Sequence, residues 1–287
     1  MYTMEQEITF SAGSGAATKA TAKSTGLCRD CVCQLGTVAN LSACWDAGAT
    51  QSSPGAGATW TDTVGNLAGT LLNGSAYDSG RGGSVVLDGT DDYVSTPYAA
   101  AVNPATDSLT VSVWMYPSGT GTPTGNQRVV NNRGKGGWGN VAGWTLSIKK
   151  VSLQSKWYAS GVGVSDDDGS SCRHVASSAR SYDLDAWYMY TLVWDYQTDL
   201  LVYVHGADSQ GRDGSALSGS GAAAIGTLVN DPTVPLEIGG TTYNNGSAST
   251  VDQVFCGSVA SVQIYKAALT ADEITDNWNA TRHRFGV

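Results

Sequence analysis

Two runs of aspartate hold the densest concentration of reactive groups in the chain. Asp88-Gly-Thr-Asp91-Asp92 and Ser165-Asp166-Asp167-Asp168 each gather three carboxylates within a few positions. Hard cations such as calcium take their ligands from clustered carboxylates and carbonyls on loops. Asp88, Asp91 and Asp92 therefore form one candidate calcium site, and Asp166, Asp167 and Asp168 form a second. The plainer alternative is that Asp88-Gly is a turn and residues 165–172 a solvated acidic loop.

Cysteine offers a second chemistry. Cys28, Cys31, Cys33 and Cys44 lie close together, and Cys172 and Cys256 bring the total to six. Thiolates close tetrahedral zinc sites, but structural sites draw on two short knuckles, and the second knuckle is missing here. Disulfides are the expected use of these six, with free thiols and a metal as alternatives, and spacing does not choose the pairing. Aromatic rings stack on sugar faces, which makes Trp138, Tyr98 and Tyr243, all in loops, candidate carbohydrate contacts. Trp114, Trp144, Trp187 and Trp194 fall in strand-like segments and are expected in the core.

Catalysis is not expected. Cleaving a glycosidic bond takes two carboxyls on either side of it. The only glutamates are Glu5, Glu7, Glu237 and Glu273, and Glu237 stands alone in Pro-Leu-Glu-Ile-Gly. The three histidines, at positions 174, 205 and 283, are far apart, and no Gly-x-Ser-x-Gly elbow occurs.

The elements that would carry these groups are short strands. Residues 109–116 alternate, with Leu109, Val111, Val113 and Met115 on one face, and residues 143–149 place Trp144, Leu146 and Ile148 together. Residues 259–265 put Ala260, Val262 and Ile264 on one side and Ser261 and Gln263 on the other. Similar segments recur at 84–87, 93–95, 128–131, 154–159, 187–194, 201–205 and 236–239. About a dozen strands separated by turn residues predict an all-β, two-sheet antiparallel sandwich. A single short helix is predicted at the carboxy terminus, where Thr270 and Glu273 form a capping box. Ile274 and Trp278, four apart, give that helix an apolar stripe, and Phe285 follows it.

Composition narrows the partners. A net charge of −9 with no basic run argues against binding nucleic acid. No apolar run is long enough to predict a membrane span, and residues 1–7 lack the pattern of a signal peptide. Residues 1–43, small and polar from 11 to 26 and then rich in cysteine, read as an extended amino-terminal arm with little to bury.

Two blocks carry a resemblance. The first runs from Trp60-Thr-Asp-Thr-Val-Gly-Asn to Asp88-Gly-Thr-Asp-Asp-Tyr-Val94, and the second is the final strand, helix and tail ending Asn279-Ala-Thr-Arg-His-Arg-Phe-Gly286. Together they resemble laminin-G-like jelly-roll domains of the concanavalin A-like lectin/glucanase superfamily. The tail is similar to those in structural proteins of phages and large DNA viruses. The resemblance implies a concanavalin A-like jelly roll over residues 44–287 behind the arm of residues 1–43. It also makes calcium at the acidic clusters a live option. It implies a non-enzymatic virion structural protein on the particle surface, as a capsid decoration, minor capsid or tail-associated protein. Its arm would hold other virion proteins or copies of itself, and the sandwich would touch host-surface glycans. The alternative is a secreted or cell-surface carbohydrate-binding module. A glycoside hydrolase is disfavoured, because the superfamily's hydrolases carry their carboxylates on one strand as E-x-D-x-x-E and this chain has no such strand.

Overall fold

The computed structural model describes residues 31–102, 108–120, 125–133, 143–150, 156–164, 172–195, 199–206, 217–218, 220–221, 234–244 and 247–287. These hold nineteen strands. The amino-terminal third contributes β1 (Leu41–Asp46), β2 (Thr59–Thr61), β3 (Ala68–Leu72), β4 (Ala76–Asp78), β5 (Ser84–Asp88) and β6 (Tyr93–Thr96). The middle supplies β7 (Leu109–Pro117), β8 (Gly125–Arg133), β9 (Gly143–Lys150), β10 (Lys156–Val164), β11 (Cys172–Asp183) and β12 (Tyr188–Asp195). The remainder are β13 (Asp199–Gly206), β14 (Leu217–Ser218), β15 (Ser220–Gly221), β16 (Leu236–Ile238), β17 (Thr241–Asn244), β18 (Ser247–Asp252) and β19 (Cys256–Tyr265). Helix α1 (Ala271–Thr281) and a 3-10 turn over Arg282–Phe285 end the chain.

All strand pairs are antiparallel, and two large sheets face each other. One runs β14-β13-β12-β7-β19-β5-β4, and the other β15-β11-β10-β9-β8-β16-β6-β3-β2. Strand β19 forks the first sheet. It pairs with β7 along one edge, while its other edge meets β5 over Cys256–Val259 and β1 over Ser261–Tyr265. Alternation fills the space between the sheets as expected. Trp144, Leu146 and Ile148 of β9 pack against Leu109, Val111, Val113 and Met115 of β7, with Trp157, Tyr190 and Trp194 among them.

One assignment of faces shifts. Ala260 does not share a face with Val262 and Ile264. A bulge between Val259 and Ser261 inserts a residue, so Val259 points into the main core and Ala260 to the opposite side. A slip of one residue exchanges the faces of a strand.

That opposite side is not left to water. The capping box forms: Thr270 N donates to Glu273 Oε2 at 2.9 Å, and Glu273 N donates to Thr270 Oγ1 at 3.3 Å. Helix α1 then lays Ile274 over the first sheet, with Trp278 half-buried beside it. Phe285 is buried, its ring 4.0 Å from that of Trp114 and 4.7 Å from that of Trp187. Trp114 Nε1 donates to Thr281 Oγ1 at 3.0 Å, which anchors the last turn of the helix. Ser261 and Gln263, the polar side of β19, are thereby buried as well, and Gln263 Nε2 donates to Val32 O.

The tail is also clamped by charge. Arg284 Nη1 lies 2.6 Å from Asp46 Oδ1, with both side chains essentially inaccessible. The same guanidinium donates to the carbonyls of Arg81, Gly82 and Gly83. Of the expected arm, residues 31–43 lie on the sandwich. Val32 joins the cluster under the helix, and a Cys33–Cys44 disulfide ties this segment to β1.

Candidate functional site

Of the groups singled out above, Asp88, Asp91 and Asp92 come together at one end of the second sheet, where the β5–β6 turn, the first residue of β6 and the β17–β18 hairpin meet. Strand β5 ends at Asp88, and Gly89, at φ 78°, allows the reversal. Asp88 Oδ1 accepts from Thr90 N at 2.7 Å, and Asp92 Oδ2 accepts from Asp88 N at 3.0 Å. The adjoining β3–β4 turn is bound to this one, since Asn73 Nδ2 donates to Asp91 O at 2.9 Å. Carboxylate oxygens of Asp88, Asp91 and Asp92 all lie within 4.8 Å of one another. Asp88 and Asp91 are exposed, whereas Asp92 is only 4% accessible. Burial raises the Asp92 carboxyl above its ordinary range, and the neighbouring charges of Asp88 and Asp91 push the same way. The Asp88 N–H bond opposes them.

Tyr93 follows directly and stands half-buried on the outer face of the second sheet. Val94 and Ile238, on paired strands β6 and β16, point into the core, so Tyr93, Ser95 and Glu237 point outward. Glu237 is nonetheless inaccessible. Its carboxylate accepts from Thr242 N at 3.1 Å, from the Thr242 hydroxyl, and from Asn131 Nδ2 at 3.4 Å. Asn131 Nδ2 also donates to Thr241 Oγ1 at 3.2 Å. Burial raises the Glu237 carboxyl, against the pull of these hydrogen bonds. The Tyr93 phenol is raised first by its own burial and then by the neighbouring Glu237 charge. So engaged, Glu237 acts as a peg. It fixes Thr241 and Thr242, and with them the start of the hairpin, against β8 and β16. Gly240 packs so closely here that a side chain would meet Val251 and the Cβ of Tyr93.

Of the aromatic candidates, Tyr98 is half-buried just after β6, and Tyr243 lies on β17 with its side chain outside the described residues. Trp138 and the cluster Asp166, Asp167 and Asp168 also lie outside them. Trp114, Trp144, Trp187 and Trp194 are buried. Among the cysteines, Cys33 and Cys44 are joined and Cys31 is disulfide-bonded, which removes these thiolates from any zinc site. Cys28 lies outside the described residues, as does the side chain of Cys172, whose backbone opens β11.

Cys256 departs from the disulfide expectation: it keeps a buried thiol that donates to Thr120 O at 3.3 Å. Cys44 pairs with Gln263, seven residues further along β19. The separation is roughly 23 Å along the strand, far beyond disulfide reach. Glu237, Asn131, Thr241, Thr242 and Tyr93 were not among the candidate binding residues. A lone Glu between two core residues of a strand was the available signal that a carboxylate faces outward there.

With this geometry in place, a family model described as the concanavalin A-like lectin/glucanases superfamily matches residues 88–275. None of the curated proteins matches the sequence. Among solved structures, the receptor-binding domain of a botulinum neurotoxin C/D mosaic superposes with a TM-score of 0.56 at 12% identity. It covers 86% of this chain and 51% of its own. The binding domain of Paraclostridial Mosquitocidal Protein 1 gives 0.55 at 14% identity, covering 82% and 51%. A Trypanosoma rangeli sialidase mutant with trans-sialidase activity gives 0.53 at 19%, covering 88% and 34%. The chain thus spans about half the length of the toxin domains and about a third of the sialidase. At these identities the likeness is one of fold.

Proposed function

Because the chain belongs to the concanavalin A-like lectin/glucanase superfamily, we propose that it is a non-catalytic, glycan-binding module displayed on a virus particle. The observation that carries the glycan reading is the rim at Tyr93. A half-exposed ring there adjoins an acidic turn and a hairpin that a buried carboxylate holds in place. A ring face with polar groups beside it is what a sugar needs, apolar contact on one side and directed hydrogen bonds around its edge. Glu237 supports the non-catalytic reading, since its lone pairs serve Thr242 and Asn131. The particle reading rests on the resemblance of the Asn279–Gly286 tail to those of phage and large-virus structural proteins. In it the module is a decoration, minor capsid or tail-associated protein attached through residues 1–30 of the arm, since residues 31–43 are engaged with the sandwich.

A secreted or cell-surface carbohydrate-binding module is the second reading. The Cys33–Cys44 disulfide favours it, since such bonds persist in oxidising surroundings. A glycan array, including sialylated glycans, tests the binding. N-acetylneuraminic acid is a sensible probe because it is bound in one superposing neurotoxin domain. We expect Tyr93→Ala to weaken binding about tenfold or more, measured well below the variant's own melting temperature so that it is folded, as loss of a central aromatic contact does. Equal binding by wild type and Tyr93→Ala, or none by either, refutes the rim as the site. Stoichiometric recovery of the chain from purified particles separates the two readings.

A further inference from the structure

Beside Glu237, the fold holds together two side chains that are able to react with each other. Glu237 pairs with Asn131 across the β8–β16 ladder, so the two stand side by side on the outer face of the second sheet. Gly239, at φ 91°, then turns the chain back, and Thr241 at the start of β17 comes to lie against the pair. Asn131 Nδ2 donates to Thr241 Oγ1 at 3.2 Å and to Glu237 Oε2 at 3.4 Å. Water is largely excluded, since Glu237 is 0%, Asn131 1% and Thr241 5% accessible. A hydroxyl, a carboxamide and a carboxyl buried in mutual contact are the parts of an acyl transfer: a nucleophile, an acyl group and a proton carrier.

We propose that Thr241 and Asn131 react within the folded chain to form a side-chain ester, with Glu237 carrying the proton. Thr241 Oγ1 attacks Asn131 Cγ while the Glu237 carboxylate takes the hydroxyl proton. The Oγ1–Cγ bond forms and the Cγ–Nδ2 bond breaks. Glu237 passes the proton to Nδ2, which leaves as ammonia. Nothing is oxidised or reduced, no outside reactant enters, and Glu237 ends as it began. Because Nδ2 is bonded to Cγ, its contact with Thr241 holds the nucleophile at the edge of the carboxamide. Rotation about the broad χ2 of Asn131 turns the face of Cγ toward it. Groups held this way react as if highly concentrated, which offsets the low reactivity of an amide. Thr242 grips the carboxylate through its N–H and hydroxyl, and the Thr241 side chain also hydrogen-bonds to it, which aims the hydroxyl proton at its acceptor. Burial raises the Glu237 carboxyl, and a carrier with a raised value both accepts and returns a proton nearer neutrality. Exclusion of water then protects the ester from hydrolysis. The bond would tie β8 to the β17–β18 hairpin across 110 positions of chain.

Mass spectrometry of the reduced full chain tests this directly. We expect an intact mass about 17 Da below that of the sequence, the loss of one ammonia on acyl transfer. Trypsin should release residues 129–133 joined to the peptide that carries Thr241, and hydroxylamine, which cleaves esters, should separate them. Thr241→Ser keeps the nucleophile and should keep the link. Thr241→Val and Glu237→Gln should lose it and return the full mass, each with a cooperative melt to show that it is folded. Wild type that stays at its full mass after prolonged incubation in the folded state would overturn the proposal. So would a loss of ammonia confined to one peptide, as a succinimide at Asn73-Gly74 would give. A link that survives Thr241→Val or Glu237→Gln would do the same. No glycan enters these measurements, so the ester stands or falls apart from the lectin reading.

Discussion

Replacing Phe285 by alanine should unfold the carboxy-terminal seal and weaken the whole domain. The ring is 1% accessible and packed between Trp114 and Trp187. An aromatic side chain of this kind buries roughly 150–250 Å². At about 25 cal/mol per Å², that amounts to roughly 4–6 kcal/mol for the full side chain. The Cβ remains and the gap partly relaxes, so a loss of about 3–5 kcal/mol is expected. Thr270→Ala removes only the cap of the same helix and should cost about 1 kcal/mol. Trp278→Ala should fall between the two, because Trp278 stacks on Trp114 at 5.0 Å yet keeps part of its surface in water. Urea denaturation of the full chain, followed by tryptophan fluorescence, would give all three values. Circular-dichroism melts would show Phe285→Ala lower by roughly 6–20 °C. If Phe285→Ala proves no more disruptive than Thr270→Ala, the helix and tail are a peripheral appendage and the sheet beneath them is stable alone.

Arg284→Met should cost about 3–5 kcal/mol, since it strands the inaccessible Asp46 carboxylate without its charge partner. A double-mutant cycle with Asp46→Asn should return a coupling well above 1 kcal/mol, and additivity would refute the pairing. The raised carboxyl of Glu237 sets a pH dependence: the fold prefers its neutral form, so its contribution declines as pH rises through the raised value. In EDTA, the melting temperature of Glu237→Gln minus that of wild type should therefore increase with pH, and parallel curves would contradict the assignment.

Local pattern was legible wherever one turn or one strand decides the outcome. Alternation alone predicts which faces of β7 and β9 enter the core, because side chains on a strand alternate whatever the partner. The capping box at Thr270 and Glu273 needs only three residues of chain, and it formed as read. The Asp88–Asp92 turn likewise brought its three carboxylates together through bonds among neighbours.

Tertiary structure alone decided the rest, for one physical reason. A hydrogen bond or ion pair reports distance in space, and these partners are far apart in the chain. Glu237 meets Asn131 across 106 positions, and Asp46 meets Arg284 across 238. No periodicity in the chain encodes such pairings; strand order does. The same holds for Ala260, whose face was set by a bulge against β7, and for Cys256, which register placed far from Cys44. Burial of Asp92 is the sharpest case. Sequence supplied three aspartates in a turn, and only the packing of the turns around them left one oxygen buried and unmet.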